Sequence, residues 1–148
     1  MAISVISTFI ALDVYDHDTT PETVKAIALD NDTRTISAEI RNRGVWYDIG
    51  STPDVQLIIK RPDNVGVTIT GDVYPIEYET GGEEETPVVT ETYYGVTADL
   101  DDDALAVAGV LQAQFVISTG TQVLHTEIFK IDNGRALDAE ITEWVNGL

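Results

Sequence analysis

The chain has 148 residues, a formal net charge of −18 at pH 7, 43% hydrophobic residues and no cysteine. This length fits one domain, and the apolar share is high enough for a packed core. Eight Lys and Arg residues against 26 Asp and Glu residues argue against a nucleic-acid partner and against an anionic membrane surface, because both are bound through clustered cations. The lack of cysteine excludes disulfides, thiolate nucleophiles and zinc–thiolate sites.

Residues 2–12 form an apolar run near the start of the chain. A signal peptide would carry a basic segment before this run and small residues after it, but Asp13 and Asp16 follow instead. The run is also shorter than the roughly 20 residues that a membrane-spanning helix needs. We therefore expect neither a signal peptide nor a membrane span, and residues 3–14 are predicted to form the first strand.

A period of two dominates the chain and indicates β-strands with one buried face. Residues 34–41 alternate Ile36, Ala38 and Ile40 with polar side chains. Two other segments, 55–60 and 111–118, alternate in the same way. The remaining strands are predicted between turn-forming Gly, Pro, Asn and Asp residues, at residues 24–29, 45–47, 67–70, 74–78, 89–97 and 122–131. This pattern predicts an all-β fold, an antiparallel β-sandwich of about eight strands with an immunoglobulin-like or jelly-roll-like arrangement.

Residues 101–109 depart from the strand pattern. Three consecutive Asp residues open this segment and Gly109 closes it. Acidic residues complement the positive end of a helix dipole, and glycine commonly follows the last helical residue. The segment is therefore predicted to be a short helical crossover between two strands.

A helix is predicted at the C-terminal end of the chain, after Asn133 and Gly134. Four apolar residues recur there at helical spacing and form one stripe: Leu137, Ile141, Trp144 and Leu148. The sequence thus divides into a β-sandwich domain at residues 1–133 and a short α-helix at residues 134–148. The stripe either packs on its own domain or associates with other copies of the chain, since so short a helix is marginal alone.

Three carboxylates and an imidazole lie close together, in Asp13, Asp16, His17 and Asp18. Hard cations such as Ca²⁺ bind several such oxygens, but the glycine and closing Glu of an EF-hand loop are absent, and a polar strand exit explains the cluster more simply. The other histidine, His125, lies in no metal-ligand spacing, and no catalytic sequence motif is present. We expect no metal, no cofactor and no enzymatic activity.

Two pairs of adjacent aromatic residues, Trp46-Tyr47 and Tyr93-Tyr94, are candidates for a binding surface. Neighbouring strand residues point to opposite faces, so one member of each pair is expected in the core and the other on the surface. Trp46 and Tyr94 are the candidates to contact a sugar or a protein partner, with core packing as the commoner role for aromatic residues.

Lys60 and Arg61 are adjacent cations in an otherwise acidic chain, which makes them candidates for a partner or ligand contact. Pro62 follows them and lacks a backbone N–H, so a strand ladder stops there, and Asp63 and Asn64 favour a turn. A structural corner is the simpler interpretation of this stretch, and binding is the alternative.

Several stretches resemble, in order, those of a known family. Residues 30–40 (DNDTRTISAEI) and 42–49 (NRGVWYDI) resemble its opening strand pair, and residues 55–66 resemble its Lys-x-Pro-Asp-Gly hairpin. Its later strands are matched by residues 105–115 and 127–131. Over residues 24–132 this order resembles the N-terminal domain of the upper baseplate protein family (BppU-like) of tailed phages and prophages of Gram-positive bacteria. The chain departs from it by inserting Asn64 and Val65 before the glycine, and by an acidic insertion around residues 81–87.

The resemblance implies a β-sandwich that attaches to the hub (distal tail) protein of the phage tail and connects, through trimerising helices, to receptor-binding proteins. Such a domain is a structural part of the virion baseplate, assembled in the host cytoplasm. The stripe that begins at Leu137 lies where the family's helices start, which favours a homo-oligomer and, among oligomers, a trimer. The alternative is a carbohydrate-binding or host-surface adhesion sandwich, with a host glycan bound by the exposed aromatic residues.

Overall fold

A computed structural model describes residues 3–16, 19–82 and 87–137 of the chain. These residues form ten β-strands: β1 (Ile6–Asp13), β2 (Val24–Ile27), β3 (Arg34–Asn42), β4 (Val45–Trp46), β5 (Asp54–Lys60), β6 (Gly66–Thr80), β7 (Val89–Leu100), β8 (Gly109–Ser118), β9 (Val123–His125) and β10 (Phe129–Gly134). No helix is among the elements that these three ranges form. The predicted all-β class is therefore confirmed.

The strands form one continuous, barrel-like sheet in the order β1-β3-β7-β6-β5-β8-β10-β2, with β4 paired to β3 and β9 paired to β8. Most neighbours are antiparallel, but β1 pairs with β3 in parallel, and β10 pairs with β2 in parallel. A purely antiparallel arrangement was therefore the wrong expectation for these two pairs. The separation into the two sheets of a sandwich is not confirmed, because β6 belongs to both halves of the structure.

β6 changes its partner at Gly71. The residues from Gly66 to Gly71 pair with β5, and those from Asp72 to Thr80 pair with β7. A Cβ atom at Gly71 would lie 2.5 Å from the carbonyl oxygen of Thr97, so the two backbones approach each other as closely as only glycine allows. The sequence predicted two strands here, since Gly71 and Asp72 are typical of a turn, whereas the structure has one long strand that bends.

The core lies between the inner faces of the curled sheet, where the predicted alternation holds best in β5. Val55, Leu57 and Ile59 are buried, and the residues between them are exposed. On the neighbouring strands β8 and β10, Phe115 and Phe129 stack within the core with their ring centroids 5.9 Å apart. Rings packed in this way bury a large apolar area, which is the main favourable term in folding.

The outer face of β3 is buried at Ser37, which the sequence placed on a solvent face. Ser37 is only 6% exposed, and its hydroxyl lies 2.9 Å from that of Thr97 on β7. The rings of Phe9 and Tyr74 approach to 6.4 Å, although β3 and β7 separate their strands. The two rings therefore meet above the small side chains of Ser37 and Thr97 and shield them from solvent. A period-two pattern of polar residues does not predict that aromatic rings from other strands cover them.

Residues 101–109 form a single turn, so the predicted helical crossover is wrong. The N–H of Leu105 donates to the carbonyl of Asp101 (3.2 Å), and the Asp101 carboxylate accepts the N–H of Ala104 (2.8 Å). This turn is the helix start that the acidic residues predicted, but no further helical turn follows it. Gly109, at φ +137°, already begins β8. Ala104 and Leu105 are fully buried, and their packing holds the turn against the core.

Two strands, β9 (Val123–His125) and β10, which ends at Gly134, stand where one strand at residues 122–131 was predicted. Of the apolar stripe in the C-terminal segment, Leu137 is the last residue described, and it is 71% exposed. Ile141, Trp144 and Leu148 lie outside the described residues. The helix, its association and the domain boundary after residue 133 therefore stay predictions.

Candidate interaction surface

A tight turn between β3 and β4 positions Trp46. The two turn residues, Arg43 and Gly44, both have positive φ, at 54° and 79°, and such turns match the twist of a two-residue hairpin. The Asp13 carboxylate accepts the N–H groups of both residues, at 3.3 Å and 2.8 Å. In addition, the Arg43 guanidinium lies 4.0 Å from the centre of the Tyr15 ring. The turn is thus held by side chains at the end of β1 and just after it.

Trp46 belongs to an aromatic cluster, which we define as Trp46, Tyr78 and Tyr93. The ring centroid of Trp46 lies 5.4 Å from that of Tyr93 and 6.3 Å from that of Tyr78, with tilted planes. Tyr78 is 49% exposed, whereas Trp46 and Tyr93 are half-buried. Rings that present an edge or a polar tip to water are the usual anchors of protein interfaces.

Past Ile76 and Tyr93, β6 and β7 continue as a two-stranded arm, which we define as the paired residues 77–80 and 89–92 and which contains Tyr78 of the aromatic cluster. Every residue of the arm is exposed. It carries Glu77, Glu79 and Glu91 and no cation; indeed, the sequence has no Lys or Arg between Arg61 and Lys130. The arm is therefore uniformly acidic, and it extends away from the core.

The Tyr93 hydroxyl connects the aromatic cluster to the arm. It donates a hydrogen bond to the Glu91 carboxylate at 2.8 Å. This hydrogen bond, together with the negative charge of Glu91, raises the pKa of Tyr93 above its usual value. The phenol therefore remains protonated, and its ring is held beside Trp46.

Neither adjacent aromatic pair divides into one core residue and one surface residue. Tyr47 is 39% exposed beside the half-buried Trp46, and Tyr93 and Tyr94 are both half-buried. Tyr94 lies on the opposite face of β7 from Tyr93, and its backbone N–H donates to the Asp48 carboxylate at 2.9 Å. The structure thus brings Trp46 together with Tyr93 rather than Tyr94. Whether Trp46 or Tyr94 contacts a partner stays a prediction.

Arg61 holds the corner that follows β5. Its guanidinium donates to the Asp63 carboxylate and, at 3.1 Å, to the backbone carbonyl of Asp103. The hydrogen bond with Asp63 raises the pKa of Arg61 and lowers that of Asp63. Asn64, at φ +65°, completes the turn. The side chain of Arg61 is only 13% exposed, which supports the structural interpretation of this stretch.

Lys60 differs from its neighbour Arg61, because its side chain lies on the exposed face of β5. The register places Gln112 beside Lys60, and Lys130 beside Gln112. Two of the eight cations of the chain therefore lie in one row across three strands. A role for Lys60 or Arg61 in binding stays a prediction.

Asp13 and Glu127 form a buried junction between the end of β1 and the segment before β10. The Glu127 carboxylate accepts the backbone N–H of Asp13 at 2.6 Å and the hydroxyl of Thr19 at 2.6 Å. Burial by itself would raise the pKa of Asp13. The backbone N–H groups of Asp16, Gly44, Tyr15 and Arg43, however, together hold it below its usual value. Sequence reasoning missed the role of Glu127, which it placed inside a single strand at residues 122–131.

The Asp13 carboxylate already accepts several backbone N–H groups, so it organises the loop rather than offering free oxygens to a cation. Two members of the acidic cluster, His17 and Asp18, lie outside the described residues. Within the three described ranges, no group of three or more His, Cys, Asp or Glu side chains is arranged to hold a metal ion.

A groove of about 400 Å³ lies between the loop after β4 and the β8–β9 hairpin. It is lined by polar and apolar side chains, among them Tyr47, Asp48, Gln122 and Leu124. Asp48 is already engaged there, since its carboxylate accepts the N–H groups of Gly50 and Tyr94. The groove is therefore open, with an aromatic ring on one side and amide and hydroxyl groups on the other.

Comparisons with known proteins find a likeness among solved structures. No protein-family description matches the chain, and no curated protein sequence does. Among solved structures, the chain is similar to the N-terminal domain of phage TP901-1 ORF48, with a TM-score of 0.54 and 16% sequence identity. The likeness covers 86% of this chain and 98% of that one. At this identity it shows a shared fold. No helix in the described ranges is long and apolar enough to cross a membrane.

Proposed function

We propose that this protein is a structural component of a tailed-phage or prophage baseplate, an adaptor that links the tail hub to receptor-binding proteins in the virion. The observation that carries the proposal is the fold, which matches nearly the whole N-terminal domain of a phage protein. The order of sequence stretches over residues 24–132, which resembles the upper baseplate protein family, supports it independently. A fold alone does not specify a function, so the two arguments are needed together.

The aromatic cluster is the surface that best suits attachment to a protein partner. Its rings are partly exposed and already ordered by contacts with one another, so little conformational freedom is lost when a partner covers them. Aromatic anchors surrounded by polar groups are typical of interfaces. The acidic arm beside the cluster would favour a partner surface that carries Lys and Arg.

Binding to the purified tail hub protein of the source phage tests this role. The double variant Trp46→Ala/Tyr78→Ala should weaken binding about tenfold or more, since aromatic anchors commonly contribute above about 1 kcal/mol each. The matched control is Val123→Ala/Ile128→Ala, which removes two exposed apolar side chains elsewhere and should bind normally. If the wild-type chain is absent from purified virions and does not bind the hub, the proposal is wrong.

The C-terminal stripe is the proposed trimerisation element. Light scattering should give the intact chain three times the mass of a chain that ends at Asn133. The two chains must be compared at equal concentration, because association depends on concentration. Equal masses for the two chains would remove the stripe from the proposal.

Glycan binding is the second candidate function, and the groove beside Tyr47 is the observation that favours it. An exposed ring next to amide and hydroxyl groups is a suitable surface for a sugar. On a glycan array, this candidate predicts a signal that is lost with Tyr47→Ala, whose ring lines the groove. A wild-type chain that gives no signal would contradict it.

A further inference from the structure

The outer edge of β1 has no neighbouring strand in the part of the chain that the structure describes, because β1 is the first strand of the sheet order. The N–H of Ile6 donates to the carbonyl of Thr33, and the N–H of Val14 donates to that of Arg41, each at 2.8 Å. Backbone groups alternate in direction along a strand. The even-numbered residues therefore face β3, and the N–H and C=O groups of Ser7, Phe9 and Ala11 point outward.

This edge lacks the features that normally prevent strands from pairing at an edge. Natural proteins place charged residues, proline or a bulge there. Residues 3–12, ISVISTFIAL, contain no charge and no proline, and β1 pairs with β3 in unbroken register over its eight residues. Ile3, Val5 and Phe9 are 77%, 50% and 48% exposed. An uncharged, apolar edge with free backbone groups is a surface that another strand can extend.

The open part of the edge has a defined end. The outward N–H of Asp13 donates to the Glu127 carboxylate at 2.6 Å, and its carbonyl accepts the Glu127 N–H at 2.9 Å. Asp13 is thus capped by the chain itself, and Ala11 is the last outward-facing residue before this cap. The other terminal strand, β2, has only four residues and carries Lys25 in an ion pair with Asp132. Only β1 presents a long and uncharged open edge among the described strands.

We propose that β1 pairs antiparallel with β1 of a second copy of this chain, with Ser7 of the two copies opposite each other. This register uses every outward-facing residue from Ile3 to Ala11. Val5 then lies opposite Phe9, and Ile3 lies opposite Ala11, so four of the five outward-facing pairs join apolar residues and the central pair joins two serines. The contact is isologous, as in most homodimers. It does not depend on the proposed baseplate role, and it is separate from the C-terminal stripe.

The charge of the chain favours this segment as the place of self-contact. Two copies with a net charge of −18 each repel one another wherever acidic surfaces meet. Residues 3–12 carry no charge, so pairing through them brings no carboxylates directly opposite each other. The remaining repulsion is between more distant charges and is screened by salt. Dimerisation should accordingly become stronger as the salt concentration rises.

Disulfide cross-linking of the full-length protein tests the register directly, because the natural chain has no cysteine. In the proposed pairing, Ser7→Cys places two sulfur atoms opposite each other, with Cα atoms about 5.5 Å apart, within the range that a disulfide spans. Mild oxidation should convert Ser7→Cys largely to a covalent dimer. Val5→Cys and Phe9→Cys should cross-link several-fold less when each is alone, since each copy of residue 5 lies opposite residue 9, but should cross-link with each other when mixed.

Light scattering gives a second readout that does not depend on cysteine chemistry. Ser7→Lys should shift the protein toward half its wild-type mass, because two lysines would then meet across the pair. Thr68→Lys, an exposed change on another strand, should leave the mass unchanged. Equal cross-linking of the three cysteine variants, or a Ser7→Lys mass equal to that of the wild type, would overturn the proposal.

Discussion

The two halves of β6 share one strand and differ in almost everything else. From Gly66 to Gly71 the strand pairs with β5, and its residues alternate between exposed and buried. From Asp72 to Thr80 it pairs with β7, and only Val73 and Ile76 are even half-buried. The first half packs on the core, whereas the end of the second half forms the acidic arm. The hydrogen-bonded ladder is continuous in both halves, so the ladder does not by itself decide burial.

This contrast shows that the arm depends on the rest of the molecule for its order. A two-stranded hairpin without a packed face is at best marginally stable in water. Here the arm is continuous with buried strands at its base, and the aromatic cluster packs there across Trp46, Tyr78 and Tyr93. A surface of this kind can be changed in sequence at little cost to the fold, as a binding element requires.

Alanine substitutions should separate the two halves most strongly. Ile69→Ala, at a residue that is 8% exposed, should lower the free energy of unfolding by about 2–4 kcal/mol, because it removes buried methyl groups and leaves a cavity. Val89→Ala in the arm should change the free energy of unfolding by less than about 0.5 kcal/mol. Urea denaturation of both variants measures the difference. Equal losses would show that the arm is part of the core after all.

Glycine substitutions in β6 should sharpen the boundary between the halves. In Gly71→Ala, the new Cβ would meet the Thr97 carbonyl oxygen at 2.5 Å and a Val55 methyl group at 3.1 Å. The backbone must then shift, and we expect a loss of about 1–3 kcal/mol. Gly66→Ala in the same strand meets nothing within 4 Å and should be near neutral. Thermal unfolding of the pair checks this, and similar melting temperatures would contradict a close approach at Gly71.

Acidification should act on the core through Asp13. Its pKa is lowered in the folded state, so its carboxylate stabilises the fold fully above the unfolded value of 3.8, and this contribution is lost as the pH falls through the folded pKa. Asp13→Asn should cost about 1–2 kcal/mol at pH 7, because it loses charged hydrogen bonds. The deficit should shrink as the pH falls below the unfolded value of 3.8 and through the lower folded pKa. A deficit that is independent of pH would contradict this role, and exposed Glu79→Gln serves as the control.

Local patterns in the sequence predicted those parts of the fold that depend on local chemistry. The alternation in β5 and the turn after Arg61 follow from side-chain period and from Pro62, and the structure confirms both. The sequence predicted a turn at Gly71, where the structure has a bend within the long strand β6. Glycine is needed there because the backbone of Thr97 lies close by, and the residues next to Gly71 in the sequence give no sign of this contact. The parallel pairing of β1 with β3 could not be predicted from local patterns either, since strand direction is set by the whole topology.

The candidate surface was predictable only in part, because its contacts join residues that are distant in the sequence. Trp46 was identified as a member of an adjacent aromatic pair, but its actual neighbours, Tyr78 and Tyr93, come from distant positions brought together by register. Spacing along β6 did hold a signal: Tyr74 and Tyr78 both fall on the outer, even-numbered face of that strand. A single sequence does not show which strand lies beside that face.

The continuity of β6 through its bend also has a mechanical consequence. A partner that holds the arm is connected by one unbroken backbone to the register of β5, which runs from Val55 opposite Gly71 to Lys60 opposite Gly66. Tension applied along that strand loads these hydrogen bonds in parallel rather than one after another. A pull on the arm would therefore be resisted by the pairing of β6 with β5 in the core as well as by the arm's own hydrogen bonds.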